Sequence, residues 1–165
     1  MKLIRIGIIG FGNIGKKRFL AISQIKKYNI QVIYIVDKFI KKSKIHKNIN
    51  IFNDWIKIKT IDVDLIIIAT PTQVTEKIVK ELVGKFNLLV EKPITTNIKL
   101  MDRLVHKSTK NNLLFKVGYN LRFDDGLLLA KNIFNSGKIG NIYYCKIFYA
   151  NGAAKTNTNN VGSLM

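Results

Sequence analysis

The chain of 165 residues is 47% hydrophobic, which is enough to bury the core of one domain and to begin a second. The single cysteine, Cys145, excludes internal disulfide bonds, and no apolar run is long enough to cross a membrane. The formal net charge of +18 is spread along the chain without an arginine-rich tract, so it favours anionic small ligands over nucleic acid. We therefore predict a cytoplasmic protein that binds neither a membrane nor nucleic acid and holds no metal.

The first predicted elements are a buried strand, a glycine-rich turn and a helix. Leu3–Ile9 is apolar and rich in β-branched residues, as in a strand that is buried on both faces. The turn that follows has the spacing Gly-x-Gly-x-x-Gly and consists of Gly10, Phe11, Gly12, Asn13, Ile14 and Gly15. Gly10 permits a tight turn, Gly12 lets a pyrophosphate approach the backbone, and Gly15 lets the helix lie against the strand. The unpaired N–H groups at the start of the helix would then bind the phosphates of a dinucleotide.

An acidic residue closes the second predicted strand. Gln31–Val36 is mostly apolar, and Asp37 follows it at the spacing of about 20 residues from Gly15 that a dinucleotide site requires. A carboxylate at this position accepts hydrogen bonds from the adenosine ribose hydroxyls and repels a 2′-phosphate, which favours NAD over NADP. The alternative is that Asp37 only caps the turn that follows it.

The remaining elements alternate between strands and helices. The predicted strands are Ile49–Phe52, a run within Asp62–Pro71, Asn87–Val90, Leu113–Val117 and Ile142–Tyr149. The predicted helices are a turn capped by Asn53 or Asp54, a helix starting at Thr72 or Thr75, a helix from Thr96 with Ile98, Met101, Leu104 and Val105 facing inward, and a helix over 124–135. This alternation predicts an α/β fold with a doubly wound parallel sheet and helices on both faces.

Several residues that could bind a ligand fall at or just after the ends of these strands. They are Gly10, Asp37, Thr70, Pro71, Glu91, Lys92 and Asn120. Because ligands of parallel sheets bind beyond the carboxyl ends of the strands, we expect these residues to converge on one edge. Lys92 could donate a hydrogen bond to a substrate oxygen and stabilise its charge during hydride transfer, or it could be an ordinary surface lysine.

Four motifs occur in the order and spacing of one family. They are Gly10-Phe-Gly-Asn-Ile-Gly15, Ala69-Thr-Pro71, Glu91-Lys-Pro93 and Val117-Gly-Tyr-Asn-Leu-Arg-Phe123. From Leu3 to about Tyr149 the chain resembles the glucose–fructose oxidoreductase / inositol dehydrogenase family (Gfo/Idh/MocA). The resemblance implies an NAD(P)-dependent oxidoreductase that transfers hydride to or from a hydroxyl-bearing carbon of a sugar, a nucleotide sugar or a cyclic polyol. It also implies a Rossmann domain over 1–120 and the start of a truncated substrate and oligomerisation domain over 121–165.

The same resemblance implies roles for single residues. Lys92 matches the family's catalytic lysine and would contact the substrate, and Arg122 would lie near the nicotinamide and the substrate. Besides the glycine turn and Asp37, the implied contacts with NAD are Thr70, Pro71, Glu91 and Asn120. Of these, Glu91 would lie near the nicotinamide ribose.

The sequence departs from the family in two places. Where many members have Asn and His after the Thr-Pro pair, this chain has Thr72 and Thr75. The family's remaining acid–base residues, an Asp and a His, lie in the second domain. Val161–Met165 resembles the segment just before them, so we expect this chain to stop short of that pair. Neither His46 nor His106 stands where it could substitute.

Three functions stay open at this point. The first is the cofactor-binding part of such an oxidoreductase, with a homo-oligomer possible if the second domain is completed. The second is a dinucleotide-binding module or inactive fragment without turnover, because the acid–base pair would be missing. The third is nucleic-acid binding driven by charge, which would weaken steeply with salt.

Overall fold

The computed structural model describes residues 2–40 and 48–148, which form six strands and four α-helices. The strands are β1 Ile4–Ile9, β2 Ile30–Val36, β3 Asn50–Phe52, β4 Leu65–Ile68, β5 Leu88–Val90 and β6 Phe115–Val117. The helices are α1 Asn13–Gln24, α2 Thr72–Leu82, α3 Ile98–Lys110 and α4 Asp125–Asn135, with short 3-10 helices at Trp55–Ile58 and Asn120–Phe123. The structure divides into two compact units, with the boundary between Asn120 and Leu121.

The strands of the first unit lie in one parallel sheet in the order β3-β2-β1-β4-β5-β6. The chain builds outward from β1 to β3, then crosses to the other side of β1 and builds outward again to β6. The strand order therefore reverses between β1 and β4, and their carboxyl ends are where such sheets bind ligands. The predicted α/β fold, a doubly wound parallel sheet of Rossmann type, is confirmed.

The sheet is buried on both faces. Because parallel connections are right-handed, the helices before and after the reversal cover opposite faces. On one face, Leu82 of α2 and Leu104 of α3 join a core that contains Ile68. On the other face, Phe19 and Ile22 of α1 pack against the second core. Successive residues of β4 alternate between the two cores, which explains the continuous apolar run in its sequence.

Two of the predicted helix starts left a choice of residue, and the structure decides it. Asp54, and not Asn53, caps the first 3-10 helix, since its Oδ1 accepts a hydrogen bond from the backbone N–H of Ile56 at 3.0 Å. The helix α2 begins at Thr72 and not at Thr75.

The inner face of α3 differs from the predicted one. The buried residues are Leu100, Leu104 and Ser108. Ile98 and Val105 are exposed, so the prediction was wrong for these two side chains. The hydroxyl of Ser108 donates a hydrogen bond to the carbonyl oxygen of Leu113 at 2.7 Å, which allows a polar residue to take a buried position. The pattern of apolar residues alone therefore predicted a buried face that is rotated around the helix axis from the observed one.

The described part of the second unit contains α4 followed by a segment without regular secondary structure. Residues 142–148 do not form a strand, so the prediction of a strand at Ile142–Tyr149 is wrong over these residues. A strand needs a neighbour to complete its hydrogen bonds, and the described residues of this unit contain no other strand. His46 and Val161–Met165 lie outside the described residues, and the predictions made for them remain predictions.

Candidate functional site

The carboxyl ends of five parallel strands form one row. The register aligns Val36, Ile9, Ile68, Val90 and Val117 across the sheet. The residues that follow them along the chain are Asp37, Gly10, Ala69, Glu91 and Gly118. Each of the last four residues in this list donates a hydrogen bond from its backbone N–H group to a carbonyl oxygen of the neighbouring strand, at 2.7–2.9 Å. The row spans about 19 Å, or four strand spacings of about 4.8 Å, and it lies along the edge where a ligand would bind.

The glycine turn leaves backbone open where a pyrophosphate would approach. Gly10 has a φ of +89°, and a Cβ there would lie 2.5 Å from the carbonyl oxygen of Ala69. A Cβ on Gly15 would overlap the carbonyl oxygen of Gly10, so only glycine lets α1 start this close to β1. A Cβ on Gly12 would meet nothing within 4 Å, because that side of the turn faces open space. Gly12 is also the N-cap of α1, and no side chain caps this helix, which leaves its first N–H groups for an anion.

The carboxylate of Asp37 contacts the glycine turn directly. Its Oδ2 accepts a hydrogen bond from the backbone N–H of Phe11 at 2.7 Å, and its Oδ1 accepts one from the N–H of Phe39 at 2.9 Å. Asp37 therefore caps the following turn and also faces the glycine turn, so the two readings of its sequence position are compatible. Each oxygen keeps a free lone pair with which it could accept a ribose hydroxyl.

Two threonine hydroxyls stabilise the turn after β4. The hydroxyl of Thr75 donates to the carbonyl oxygen of Thr70 at 2.8 Å, and the two hydroxyl oxygens are 2.7 Å apart. Since the proton of Thr75 is used in the first bond, Thr70 is the donor in the second. Thr75 is 1% exposed, so it supports the Thr70-Pro71 turn from beneath and does not face a ligand itself.

The segment that carries Lys92 is fixed on both sides while the lysine itself is exposed. The peptide bond between Lys92 and Pro93 is cis, and Ile94 is buried in the core at 4% exposure. The hydroxyl of Thr95 donates to Oε2 of Glu76 on α2 at 2.7 Å. Hydrogen bonds from Lys80 and then from Thr95 hold the pKa of Glu76 below its ordinary value, so this carboxylate is charged at neutral pH.

An ion pair joins α1 to the end of β5. The guanidinium of Arg18 donates to Oε1 of Glu91 through Nε at 2.7 Å and through Nη2. The family resemblance implied a place for Glu91 near the nicotinamide ribose and no role for Arg18. Two features of the sequence could have indicated this ion pair: the positive residue three positions after Gly15 and the acidic residue at a strand end. They lie 73 positions apart in the chain.

Comparison with known proteins assigns the family. The sequence profile of the GFO_IDH_MocA oxidoreductase family, described as an NAD-binding Rossmann fold, matches residues 4–119. The chain belongs to the Gfo/Idh/MocA family. The resemblance inferred from the four motifs is thereby confirmed, and the match covers the whole sheet and the row of strand ends.

Relatives of the chain include oxidoreductases that are about twice as long. It is 31% identical over 150 residues to the uncharacterized oxidoreductase YrbE of Bacillus subtilis, which covers 88% of this chain and 44% of that protein. It is 31% identical over 87 residues to the scyllo-inositol 2-dehydrogenase (NAD(+)) of Bacillus subtilis, covering 52% of this chain and 25% of that one. The crystal structure of scyllo-inositol dehydrogenase from Lactobacillus casei with NAD(H) and scyllo-inositol superposes with a TM-score of 0.73 at 27% identity. That superposition covers 86% of this chain and 43% of the other, so the chain spans less than half the length of these proteins.

The other residues that the Gfo/Idh/MocA resemblance marks occupy different surroundings. The ring of Phe11 packs edge-on against Phe19, with 5.8 Å between ring centroids, while Asn13 and Ile14 are exposed at the start of α1. Asn120 is exposed, and its backbone N–H donates to the carbonyl oxygen of Gly118 at 3.0 Å. All of these lie in the first unit, and their contacts with NAD remain predictions.

Arg122 lies in the second unit. It lines a shallow groove of that unit together with Leu121, Leu127, Leu128 and Lys131. Its predicted role beside the nicotinamide and the substrate therefore remains a prediction.

The described residues contain neither a membrane-spanning helix nor a cluster of metal ligands. No helix there has the length and apolar character needed to traverse a bilayer. Nor do those residues contain a cluster of three or more His, Cys, Asp or Glu side chains that could hold a metal ion.

Proposed function

We propose that the chain binds NAD along the carboxyl edge of its sheet and presents Lys92 to the substrate of a Gfo/Idh/MocA oxidoreductase. The main support is one observation. The glycine turn, the Asp37 carboxylate and the strand that leads into Lys92 end in a single row. In this arrangement the adenosine ribose would lie at Asp37, the pyrophosphate at Gly12, and the nicotinamide toward Glu91 and Lys92.

The reaction we propose is hydride transfer between C4 of the nicotinamide and a substrate carbon that bears a hydroxyl group. Bound NAD supplies the hydride acceptor for oxidation of the alcohol. The ammonium group of Lys92 donates a hydrogen bond to the substrate oxygen, which stabilises the negative charge that this oxygen gains as its proton passes to water. The start of α1 binds the pyrophosphate, and the fixed backbone around Lys92 aligns the substrate with the nicotinamide.

The substrate class we propose is a sugar, a nucleotide sugar or a cyclic polyol. The family resemblance implies this class, and the likeness to the scyllo-inositol dehydrogenases of Bacillus subtilis and Lactobacillus casei supports the cyclic polyol within it. The carboxylate of Asp37 favours NAD over NADP, because a 2′-phosphate on the ribose would be repelled by it. The many lysines of the chain would increase the local concentration of such anionic ligands.

Titration of NADH fluorescence with two matched glycine variants tests the binding part of the proposal. In Gly12→Ala the new methyl group enters open space, so we expect an unchanged melting temperature. The methyl group blocks the approach of the pyrophosphate, so affinity for NADH should fall at least about tenfold, or roughly 1.4 kcal/mol. In Gly15→Ala the methyl group overlaps the carbonyl oxygen of Gly10, so the melting temperature should fall as well. A folded wild-type chain without saturable NADH binding would contradict the proposal.

A second candidate function is dinucleotide binding without turnover. It is favoured by the position of His106, the one histidine among the described residues. His106 is exposed on α3, more than two turns, or about 12 Å, beyond the helix start that lies next to the Lys92 segment. Oxidation of a panel of inositols and sugars with NAD separates the two candidates. Turnover that is lost in Lys92→Ala would exclude the second candidate, whereas NADH binding without turnover would support it.

A further inference from the structure

A partly buried ion pair connects the helix of the glycine turn with the strand that leads into Lys92. Arg18 lies three residues after Gly15 and therefore on the same side of α1, the side that faces the sheet. Two N–H groups of its guanidinium donate hydrogen bonds to Oε1 of Glu91, the residue directly before Lys92. The side chain of Arg18 is 30% exposed and that of Glu91 15% exposed, so water screens this pair only in part.

Gly118 provides the space for this pair. Its backbone N–H donates to the carbonyl oxygen of Val90 at 2.8 Å, which holds the end of β6 beside the end of β5. A Cβ on Gly118 would lie 2.8 Å from Nη2 of Arg18 and 2.9 Å from Oε1 of Glu91. Any side chain here would require the ends of these two charged side chains to shift, so a substitution at Gly118 perturbs the pair.

The backbone before Lys92 is consequently held in two ways. The N–H of Glu91 donates to the carbonyl oxygen of Ile68 at 2.9 Å, and its side chain is held by Arg18. The second carboxylate oxygen, Oε2, makes no hydrogen bond to the described residues, so pairing with Arg18 leaves it able to accept a ribose hydroxyl. The exposed side chain of Lys92 thus extends from a backbone that is tied to the helix of the pyrophosphate site.

We propose that Arg18, Glu91 and Gly118 act as positioning residues that fix Lys92 relative to a dinucleotide bound at the glycine turn. This inference rests on the proposed function, because it presumes NAD at that turn. The pair connects the two sites, since the start of α1 would hold the pyrophosphate of NAD and Glu91 directly precedes the lysine that would lie at the nicotinamide. A displacement of roughly 1 Å in a reacting group is enough to change rates by up to about a hundredfold.

The test measures how NADH protects the amine of Lys92 in the full chain. Lysines are pulse-labelled with acetic anhydride with and without NADH, and the label at each lysine is quantified by peptide mass spectrometry. Each variant is studied at about 100 times its own NADH dissociation constant, so that about 1% of the sites are free and affinity differences drop out. In the wild type we expect about tenfold protection at Lys92 and none at the exposed Lys110 near the end of α3.

In Arg18→Met and in Gly118→Ala, NADH should still saturate the chain but lose most of its protection of Lys92. The labelling of Lys92 without and with NADH should then differ by no more than about twofold. Arg18→Lys keeps the positive charge but loses the two N–H donors of the planar guanidinium, so it should give intermediate protection. It replaces Arg18→Met if that variant does not fold. Arg5→Met is the matched control. Arg5 is 34% exposed and pairs with Asp62 and Asp64, but it lies at the amino end of the sheet, so protection should be unchanged.

The outcomes separate the two proposals. Full protection in Arg18→Met and Gly118→Ala would overturn the positioning inference and leave the proposed function intact. Equal loss of protection in Arg5→Met would also overturn it, because the effect would then be a general loosening of the sheet. A folded wild-type chain that binds no NADH would overturn the proposed function itself.

Discussion

Gly7 and Tyr34 form a pair on neighbouring strands that explains a glycine outside the dinucleotide motif. A Cβ on Gly7 would overlap the phenol end of Tyr34, so the side chain of Tyr34 occupies the space that a side chain on Gly7 would need. Tyr34 is 0% exposed, and within the described residues its hydroxyl has no hydrogen-bond partner. Burial raises the pKa of this hydroxyl, because the charged form cannot be solvated there.

Removing the hydroxyl in Tyr34→Phe should therefore stabilise the protein. An unpaired buried polar group costs about 1–3 kcal/mol, and a gain of 1 kcal/mol would raise the melting temperature by about 2–4 °C. The gain should grow above about pH 10, where the unfolded tyrosine ionises and the folded one does not. Differential scanning calorimetry at neutral and alkaline pH measures both effects.

Tyr28→Phe is the control for this prediction. Tyr28 is 48% exposed, so loss of its hydroxyl should leave the melting temperature unchanged. Destabilisation of Tyr34→Phe by 1 kcal/mol or more, roughly the value of a satisfied hydrogen bond, would mean that the Tyr34 hydroxyl is paired.

At the scale of elements, the segment after β5 is attached to α2 by a charged hydrogen bond. Oε2 of Glu76 accepts the hydroxyl proton of Thr95, and that hydroxyl oxygen in turn accepts the backbone N–H of Asn97 at 3.0 Å. Asn97 is the N-cap of α3, so a single carboxylate connects α2, the Lys92 segment and the start of α3. The geometry of this segment therefore depends on the charge state of Glu76.

The pKa of Glu76 is lower in the folded chain than its ordinary value of 4.5. The stabilisation by this carboxylate is present above that value and is lost as the pH falls through the lower folded pKa. The melting temperature of the wild type should therefore be higher than that of Glu76→Gln at pH 7. The difference between the two melting temperatures should vanish under acid conditions. Over the same pH range, the protection of the amides at 94–97, measured relative to their intrinsic exchange rates at each pH, should fall in the wild type.

Glu81→Gln is the matched control on the same helix. A hydrogen bond from Lys59 lowers the pKa of Glu81 too, so its effect on the melting temperature should have the same sign. Among the described residues, the carboxylate of Glu81 pairs with Lys59 on the surface and makes no hydrogen bond to the Lys92 segment. If Glu81→Gln accelerates exchange at 94–97 as much as Glu76→Gln does, the specific link through Thr95 is wrong.

At the scale of the whole molecule, the dominant property is the formal net charge of +18. Half of the described carboxylates are paired with cations, as in Arg5 with Asp62 and Arg18 with Glu91. Many of the lysines are exposed and spread over helices and loops. Such a surface attracts polyanions weakly and without a shaped site.

Binding of duplex DNA should therefore be weak and steeply dependent on salt, unlike binding of NADH. We expect measurable DNA binding at low ionic strength and a loss of about 10³-fold or more between 50 and 200 mM salt. NADH carries few charges, so its affinity should change far less over this range. Fluorescence anisotropy with labelled DNA and NADH fluorescence in the same buffers measure the two slopes. DNA binding that persists at 200 mM salt would favour a nucleic-acid function.

The order of elements, the parallel sheet and the dinucleotide motif could be predicted because they are written in local patterns. Apolar runs bounded by glycine and polar residues located all six strands of the sheet, and the spacing from Gly15 to Asp37 predicted a carboxylate beside the turn. Even the convergence of distant strand ends follows from the local pattern, since parallel strands place all their carboxyl ends on one edge.

Only the tertiary structure decided which side chains meet. The pairing of Arg18 with Glu91, the seat of Tyr34 over Gly7 and the burial of Ser108 on α3 all depend on contacts between elements. The predicted strand at Ile142–Tyr149 was wrong over its described residues for the same reason, because a strand exists only through its neighbour. Periodicity specifies which face of an element is apolar, whereas the partner of each group is set by how the elements pack, and that information is spread over residues far apart in the chain.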